Sequence, residues 1–422
     1  MKFVLACYGS RGDVEPGAAV GLELLRRGHD VRMAFPPDMV PFAESAGLAA
    51  VPYGIDARAP LEAQRNFSTS LYRNPWRIQE VIRAWRELGE LVTQCWMEMS
   101  KSLTPLADGA DLLITCMSTE PPAANVAEYY DIPLATLHYF PIRANGHYIS
   151  MLPSPLGRFA MRVDEWMYWR WTKKPEDAQR RELGLPKATC PAPRRIAQRG
   201  SLEIQAYDEL CFPGLAAEWA KYDGRRPFTG ALTMELPTDA DDEIASWIAA
   251  GTPPIYFGFG SIPIESPGDT LAMISTACAQ LGERALVCSA GTHFDDVTDC
   301  DHVKVVGAVN HAATFPACRA VVHHGGAGTT AAVLRAGVPT LILWNTSDQP
   351  FFGAQVKRLK VGTARRFSTT TLQSLVADLR TILAPDYVAR AREIATRMSK
   401  PAESTAAAAD LVEDFARSRR VG

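Results

Sequence analysis

The sequence predicts an α/β protein built as two successive parallel-sheet halves, and three observations predict it. An apolar run near the N-terminus, FVLACY (3–8), is followed by a glycine-containing break, a helical pattern and a second apolar run, VRMAF (31–35). The same rhythm restarts in mid-chain at IYFGFGS (255–261). Later, VVHHGGAGTTAAVLRAGVPTLILW (321–344) passes from one buried-strand pattern through a glycine-rich turn and a helix to another. Short apolar runs alternating with helices are the mark of strands covered on both faces and joined by right-handed crossovers. With 422 residues the chain exceeds one ordinary core, and two domains of roughly 200 residues each are the natural expectation.

In the first half, GSRGDVEP (9–16) breaks the first strand, and Ala18 to Arg27 reads as a helix closed by Gly28. VRMAF is the next strand, and DMVPFAESAG (38–47) gives a helix ending at Gly47. LLITC (112–116) and PLATL (133–137) continue the same sheet. From Asn66 to about Lys221 aromatic and basic residues interleave, as in RFAMRVDEWMYWRWTKK (158–174). Such a stretch packs tryptophans into a core, lines a pocket for a lipophilic ligand, or touches a membrane surface.

The stretch DGRRPFTGALTMELPTDADDE (223–243), rich in Pro, Gly and charge, is the expected link between a first domain at 1–222 and a second at 244–400. In the second domain DTLAMISTACAQLG is a helix, and ALVCSAG and KVVGAV are strands. PAESTAAAADLVEDFARS makes a C-terminal helix within 401–422.

Composition narrows the function. Net charge is −3, which provides no strong basic field for a nucleic-acid backbone. The nine cysteines include no C-x-x-C pair, which fits reduced thiols rather than a disulfide frame or zinc site. LAC at 5–7 resembles a lipidation site, but its apolar run of about four residues is too short for a signal segment. No stretch approaches the roughly 18 apolar residues of a membrane span, so a cytoplasmic protein is expected, with at most peripheral membrane contact.

The turn HHGGAGTT (323–330) carries the most chemistry. Glycines between strand and helix expose backbone N–H groups at the helix start, where aligned peptide dipoles favour an anion. Thr329 and Thr330 add hydroxyls, and a histidine can donate to a phosphate oxygen. The ATPase loop G-x-x-x-x-G-K-[ST] is absent, and GSRGD lacks G-x-G-x-x-G, which argues against P-loop nucleotide hydrolysis and dinucleotide oxidoreduction.

The run HHGGAGTTAAVLRAGVPTLILWNTSDQPFFGAQVKRLKVG, with GSRGDVEP near the start and FGFGS midway, resembles inverting glycosyltransferases of the GT-B fold, family GT1. The nearest in kind are transferases of glycopeptide-antibiotic and mycobacterial glycolipid assembly and the sterol glucosyltransferases. The resemblance implies two Rossmann-like domains with parallel sheets facing each other across a cleft, acceptor in the first and donor in the second. It implies a UDP- or dTDP-hexose as substrate and no cofactor or metal ion. His323 matches the histidine on the donor diphosphate, and Gly325, Gly326, Ala327, Gly328 and Thr329 match the phosphate-cradling turn. Ser261 matches a second phosphate contact, Asp348 and Gln349 the pair on the sugar hydroxyls, and Val309 the backbone that binds the pyrimidine. Ser10, Arg11 and Gly12 in the first turn are expected on the donor side as well.

Inversion needs a general base beside the acceptor hydroxyl. Asp13 matches the family's base position and lies just after the first strand, although an Asp at a helix start is also an ordinary cap. Some relatives pair a histidine base with an aspartate after a later strand; here LLITCMSTEPP offers only Glu120, a loose substitute, and an Asp base would not need such a partner to hold an imidazole tautomer. His138 and His147 are candidates to orient a lipophilic small-molecule or lipopeptide acceptor. DAD (239–241) and DCD (299–301) read as solvated turns rather than metal sites. A sugar-nucleotide epimerase and an inactive nucleotide-sugar-binding accessory protein are the competing readings.

Overall fold

The computed structural model describes residues 1–73, 76–149, 152–260, 266–289, 301–345 and 348–420. It divides into two units: Met1–Ala206 with Pro213–Leu232 and Pro401–Gly422, and Tyr207–Phe212 with Thr233–Lys400.

The first unit begins β1 (Lys2–Ala6), α1 (Arg11–Arg26), β2 (Asp30–Phe35), α2 (Val40–Ser45), β3 (Ala50–Pro52), α3 (Arg58–Arg73) and α4 (Ile78–Leu106). It continues with β4 (Leu112–Cys116), α5 (Glu120–Tyr129), β5 (Leu134–His138), α6 (Ser154–Glu182), α7 (Ala192–Gln198), β6 (Leu202–Gln205) and α8 (Leu215–Trp219). Its parallel sheet has the order β3-β2-β1-β4-β5-β6, so the chain reverses direction across the sheet between β1 and β4. β4 and β5 are buried along their whole length, as strands covered on both faces must be.

Helix α1 starts at Arg11, seven residues before the expected Ala18, because Ser10 and Asp13 form a capping box that begins the helix inside the apparent turn. Pro16 is accommodated within it, and Gly17 is required there: a Cβ would lie 2.5 Å from the Cys7 sulfur. β3 and β6 had no sequence signature of their own; each is a short strand of three or four residues.

The second unit holds α9 (Asp241–Ala249), β7 (Ile255–Gly258), α10 (Pro267–Leu281), β8 (Ala285–Cys288), β9 (Val303–Val306), α11 (His311–Thr314) and β10 (Ala320–His323). There follow α12 (Ala327–Ala336), β11 (Thr340–Trp344), α13 (Gln349–Leu359), β12 (Gly362–Arg366), α14 (Leu372–Ile382) and α15 (Pro385–Ala395). The sheet order β12-β11-β10-β7-β8-β9 repeats the topology of the first sheet, with its reversal between β7 and β10.

The last helix, α16 (Pro401–Arg420), belongs to the first unit. It packs Val412, Phe415 and a run of alanines inward, and the Arg27 guanidinium reaches Asp410 at 2.6 Å and Glu413 at 3.2 Å. In doubly wound sheets ligands bind beyond the carboxyl ends of the strands at the reversal point. The turn bearing Asp13 follows β1 and the glycine-rich turn follows β10, so each unit presents its distinctive motif there.

Candidate active site

Asp13 lies in the first turn of α1, and its carboxylate is fully engaged at one oxygen. The Ser10 backbone N–H and hydroxyl donate to Oδ2 at 2.7 and 2.9 Å. The Tyr139 hydroxyl, just beyond β5, donates to Oδ1 at 2.7 Å. Burial raises the pKa of Asp13 above the usual carboxylate range, opposed by the hydrogen bonds from Tyr139 and Ser10. Burial, with the negative charge of Asp13 beside it, pushes the Tyr139 phenol well up, so it stays a proton donor. An ionised carboxylate offers about four lone-pair sites, and these three bonds leave one for a further O–H. The two readings of Asp13, cap and base, are therefore compatible.

Gly9 makes this packing feasible. Its φ is +135°, and a Cβ would sit 2.4 Å from Asp13 Oδ2. Of the other residues in the turn, Ser10 is spent on Asp13, Arg11 is exposed and paired with Glu15 at 3.0 Å, and Gly12 is exposed.

The residues on either side of Tyr139 along the chain, His138 and Arg143, belong to a buried ion network. Arg143 forms a two-pronged pair with Glu120 (2.6 and 2.7 Å) and also bonds Glu203, which Arg226 reaches at 3.1 Å. His138 Nε2 lies 2.7 Å from Glu120 Oε1, and its Nδ1 faces the Gln205 amide at 3.3 Å. Despite burial, Arg143 and His138 hold the Glu120 carboxyl at about 2. The expectation that His138 orients an acceptor is corrected: the ring is fully enclosed and both nitrogens are used inside the unit. Glu120 belongs to the same network, not to Asp13. His147 remains half-exposed, its ring 3.4 Å from Glu218 and against Gly214.

In the second unit the glycine-rich turn is shaped around two rings. His323 is wholly buried, and its Nδ1 accepts the Gly325 N–H at 3.1 Å. Burial, then the nearby His324 and His311, hold its pKa well below the usual value, so the ring is neutral. A neutral imidazole whose Nδ1 accepts must carry its proton on Nε2. That Nε2 is buried and has no hydrogen-bond partner among the described residues. An unmet buried donor costs about 1–3 kcal/mol, a penalty that an anionic ligand would remove.

His324 explains the glycines. A Cβ on Gly260 or on Gly326 would each lie 2.6 Å from its ring, so the ring is wedged between the turns after β7 and β10. Gly325 has φ +95°, and a Cβ there would meet Ile342 at 2.8 Å and Gln349 at 3.3 Å. Gly326 caps α12, whose first N–H groups, at Ala327, Gly328 and Thr329, precede the first intrahelical bond at Thr330.

Gln349 opens α13 after β11, and its Oε1 accepts the Asn345 N–H at 2.8 Å. Asp348 is the N-cap of that helix. Val309, after β9, turns its side chain into a cluster with Tyr256 and Phe315, which leaves its backbone for any base contact. Ser261 lies outside the described residues, as do Asp299 and Cys300. Asp241 is occupied by Thr238, whose backbone N–H donates at 2.9 Å. Tyr139 and the spacer role of His324 carry no signal in the sequence; Gly9, before the Ser-x-x-Asp box, leaves a trace in the pattern.

Two family models match the chain: the glycosyltransferase family 28 N-terminal domain over residues 3–101, and the erythromycin biosynthesis protein CIII-like C-terminal domain over 285–414. An uncharacterized glycosyltransferase of Mycobacterium tuberculosis is 63% identical over 422 residues, covering 100% of both chains. The vancomycin aglycone glucosyltransferase of Amycolatopsis orientalis is 30% identical over 403 residues, covering 94% of this chain and 93% of that enzyme. The crystal structure of glycosyltransferase VinC in complex with dTDP has the same fold, with a TM-score of 0.66, 19% identity and 100% coverage of both chains. Whole-length identity of this order, on two sheets of one topology, makes the chain a member of the GT-B glycosyltransferases.

Proposed function

We propose that this glycosyltransferase moves a hexosyl group from a UDP- or dTDP-sugar to a hydroxyl of a lipophilic acceptor, with inversion and with Asp13 as general base. The observation that carries the reading is the Asp13 carboxylate: buried, raised in pKa, fixed by three hydrogen bonds and placed beyond the carboxyl end of β1. The acceptor hydroxyl donates to the remaining lone pair of Asp13. As its oxygen attacks the anomeric carbon, the proton passes to Asp13 and the bond from that carbon to the diphosphate oxygen breaks. The departing diphosphate is met by the His323 Nε2–H and by the amides at the head of α12, fixed dipoles that need no reorganisation. Asp348 and Gln349 are the groups for the sugar hydroxyls, and the Val309 backbone for the pyrimidine.

The dTDP of the VinC structure and the glucosyl transfer named for the vancomycin aglycone enzyme favour a pyrimidine nucleotide and a hexose. The test is transfer from α-linked UDP- and dTDP-hexoses to a panel of lipophilic alcohols and phenols, with EDTA present and the product anomer read by proton NMR. The reading predicts a β-linked glycoside. An α-linked product, or an isomerised sugar nucleotide formed without acceptor, would contradict it.

A further inference from the structure

The outer side of α6 carries an exposed apolar surface. At ~100° per residue, Leu156, Phe159, Val163, Trp166 and Met167 fall within an arc of about 100° on this helix. Phe159 is 66% exposed, Leu156 56%, and Trp166 and Met167 52% each. Alpha-helical α4 adds a second stripe, Ile78, Ile82 and Trp85, at spacings of four and three residues, with Trp76 before it 73% exposed. The two stripes join through aromatic contacts, with the Trp85 ring 5.1 Å from both Trp171 of α6 and Phe67 of α3. Contiguous apolar surface on this scale marks an interaction site.

Charge selects the partner. The arc of α6 continues past Met167 into Arg170 and Lys174, with Arg162 along its edge, and all three side chains are exposed. Neither acidic residue of this stretch lies on the arc. Asp164 falls on one flank, and Glu165 points back to accept the Ala144 N–H at 3.2 Å. An apolar strip that carries Arg170 and Lys174 and no acidic residue within its arc matches the border between lipid headgroups and acyl chains. There the rings and alkyl groups sink in and the long cationic side chains reach the phosphates.

We propose that the α4–α6 face docks the chain onto a bilayer surface containing anionic lipids. This assignment does not depend on the donor and base roles above.

The experiment is co-sedimentation of the full chain with vesicles of phosphatidylcholine alone, or with about 30 mol % phosphatidylglycerol, at low and high salt. Two variants accompany the wild type, both checked for native circular dichroism: Phe159→Ser/Trp166→Ser/Met167→Ser, and Arg162→Glu/Arg170→Glu/Lys174→Glu. The wild type should bind the anionic vesicles, lose binding at high salt and shift its tryptophan emission to the blue. Each variant should bind at least tenfold more weakly; the charge variant reads the proposal if the apolar one fails to fold. The proposal is overturned if the wild type binds no vesicles, or if a folded variant binds as well as the wild type. It is equally overturned if light scattering finds a wild-type dimer that the apolar variant converts to a monomer, since the face would then cover a second copy.

Discussion

The Tyr139 hydroxyl donates to Asp13 Oδ1 at 2.7 Å, from a segment that follows β5 to a carboxylate that follows β1. The phenol does a different job from a second carboxylate at this position. It fixes the Asp13 carboxyl and stabilises its charged form without adding negative charge.

Removing that donor should move the pH profile in a stated direction. A hydrogen bond to the ionised form lowers a carboxyl pKa, so Tyr139→Phe raises that of Asp13. The base must be deprotonated to act. The acid limb of kcat/KM should therefore shift to higher pH in Tyr139→Phe, with the plateau within about tenfold of wild type. An unmoved limb would show that the rate does not report Asp13 ionisation.

His323 should contribute to donor affinity as a neutral donor. His323→Ala should weaken UDP or dTDP binding by about 1.5–3 kcal/mol, the range for a hydrogen bond to a charged group. Because burial holds the ring neutral, donor affinity should show no step between pH 6 and 8 that disappears in His323→Ala. Isothermal titration calorimetry across that range reads both. A step at the usual histidine value would mean that the bound form is the imidazolium.

The buried network of Arg143, Glu120, Glu203 and His138 should be a stability determinant. Arg143→Met leaves Glu120 and Glu203 buried without their shared cation and should cost about 3–5 kcal/mol in urea unfolding. The Glu120 carboxyl is held at about 2, below its usual 4.5. Its stabilising contribution is therefore present above pH 4.5 and lost as the pH falls towards 2. The deficit of Arg143→Met should accordingly be largest near neutrality and shrink in acid. A deficit independent of pH would assign the loss to packing instead.

Much of the fold was legible because the strands flanking each reversal point are continuous apolar runs. LLITC, predicted at 112–116, is β4 to the residue, and the strand–turn–helix around HHGGAGTT is β10 and α12. Of the edge strands, β9 is legible in KVVGAV, but β12 is not: it is GTARR, with mostly half-buried or exposed positions and little apolar character. The start of α1 was missed because two glycines and a proline outweigh helix propensity on paper, whereas Ser10 and Asp13 supply the cap that decides it. Asp13 and His323 stand out as candidates from local motifs alone. Tyr139 does not, since it meets Asp13 126 residues away and its own neighbourhood, HYFPIR, carries no local mark. His138 shows the same limit: a polar residue at a strand end looks available in sequence, while Glu120, 18 residues earlier, holds it in the fold.

The most direct test of the account compares transfer and donor binding in wild type and Asp13→Asn. Asparagine keeps the size and can still accept hydrogen bonds from Ser10 or Tyr139, but it cannot take a proton. Initial rates of glycoside formation should fall by about 10²–10⁴-fold. Thermal stabilisation by UDP or dTDP, about 2.7 kcal/mol at 100-fold excess over Kd, should be unchanged. Asp13→Asn transferring at a rate near that of the wild type would contradict the assignment of Asp13 as the base.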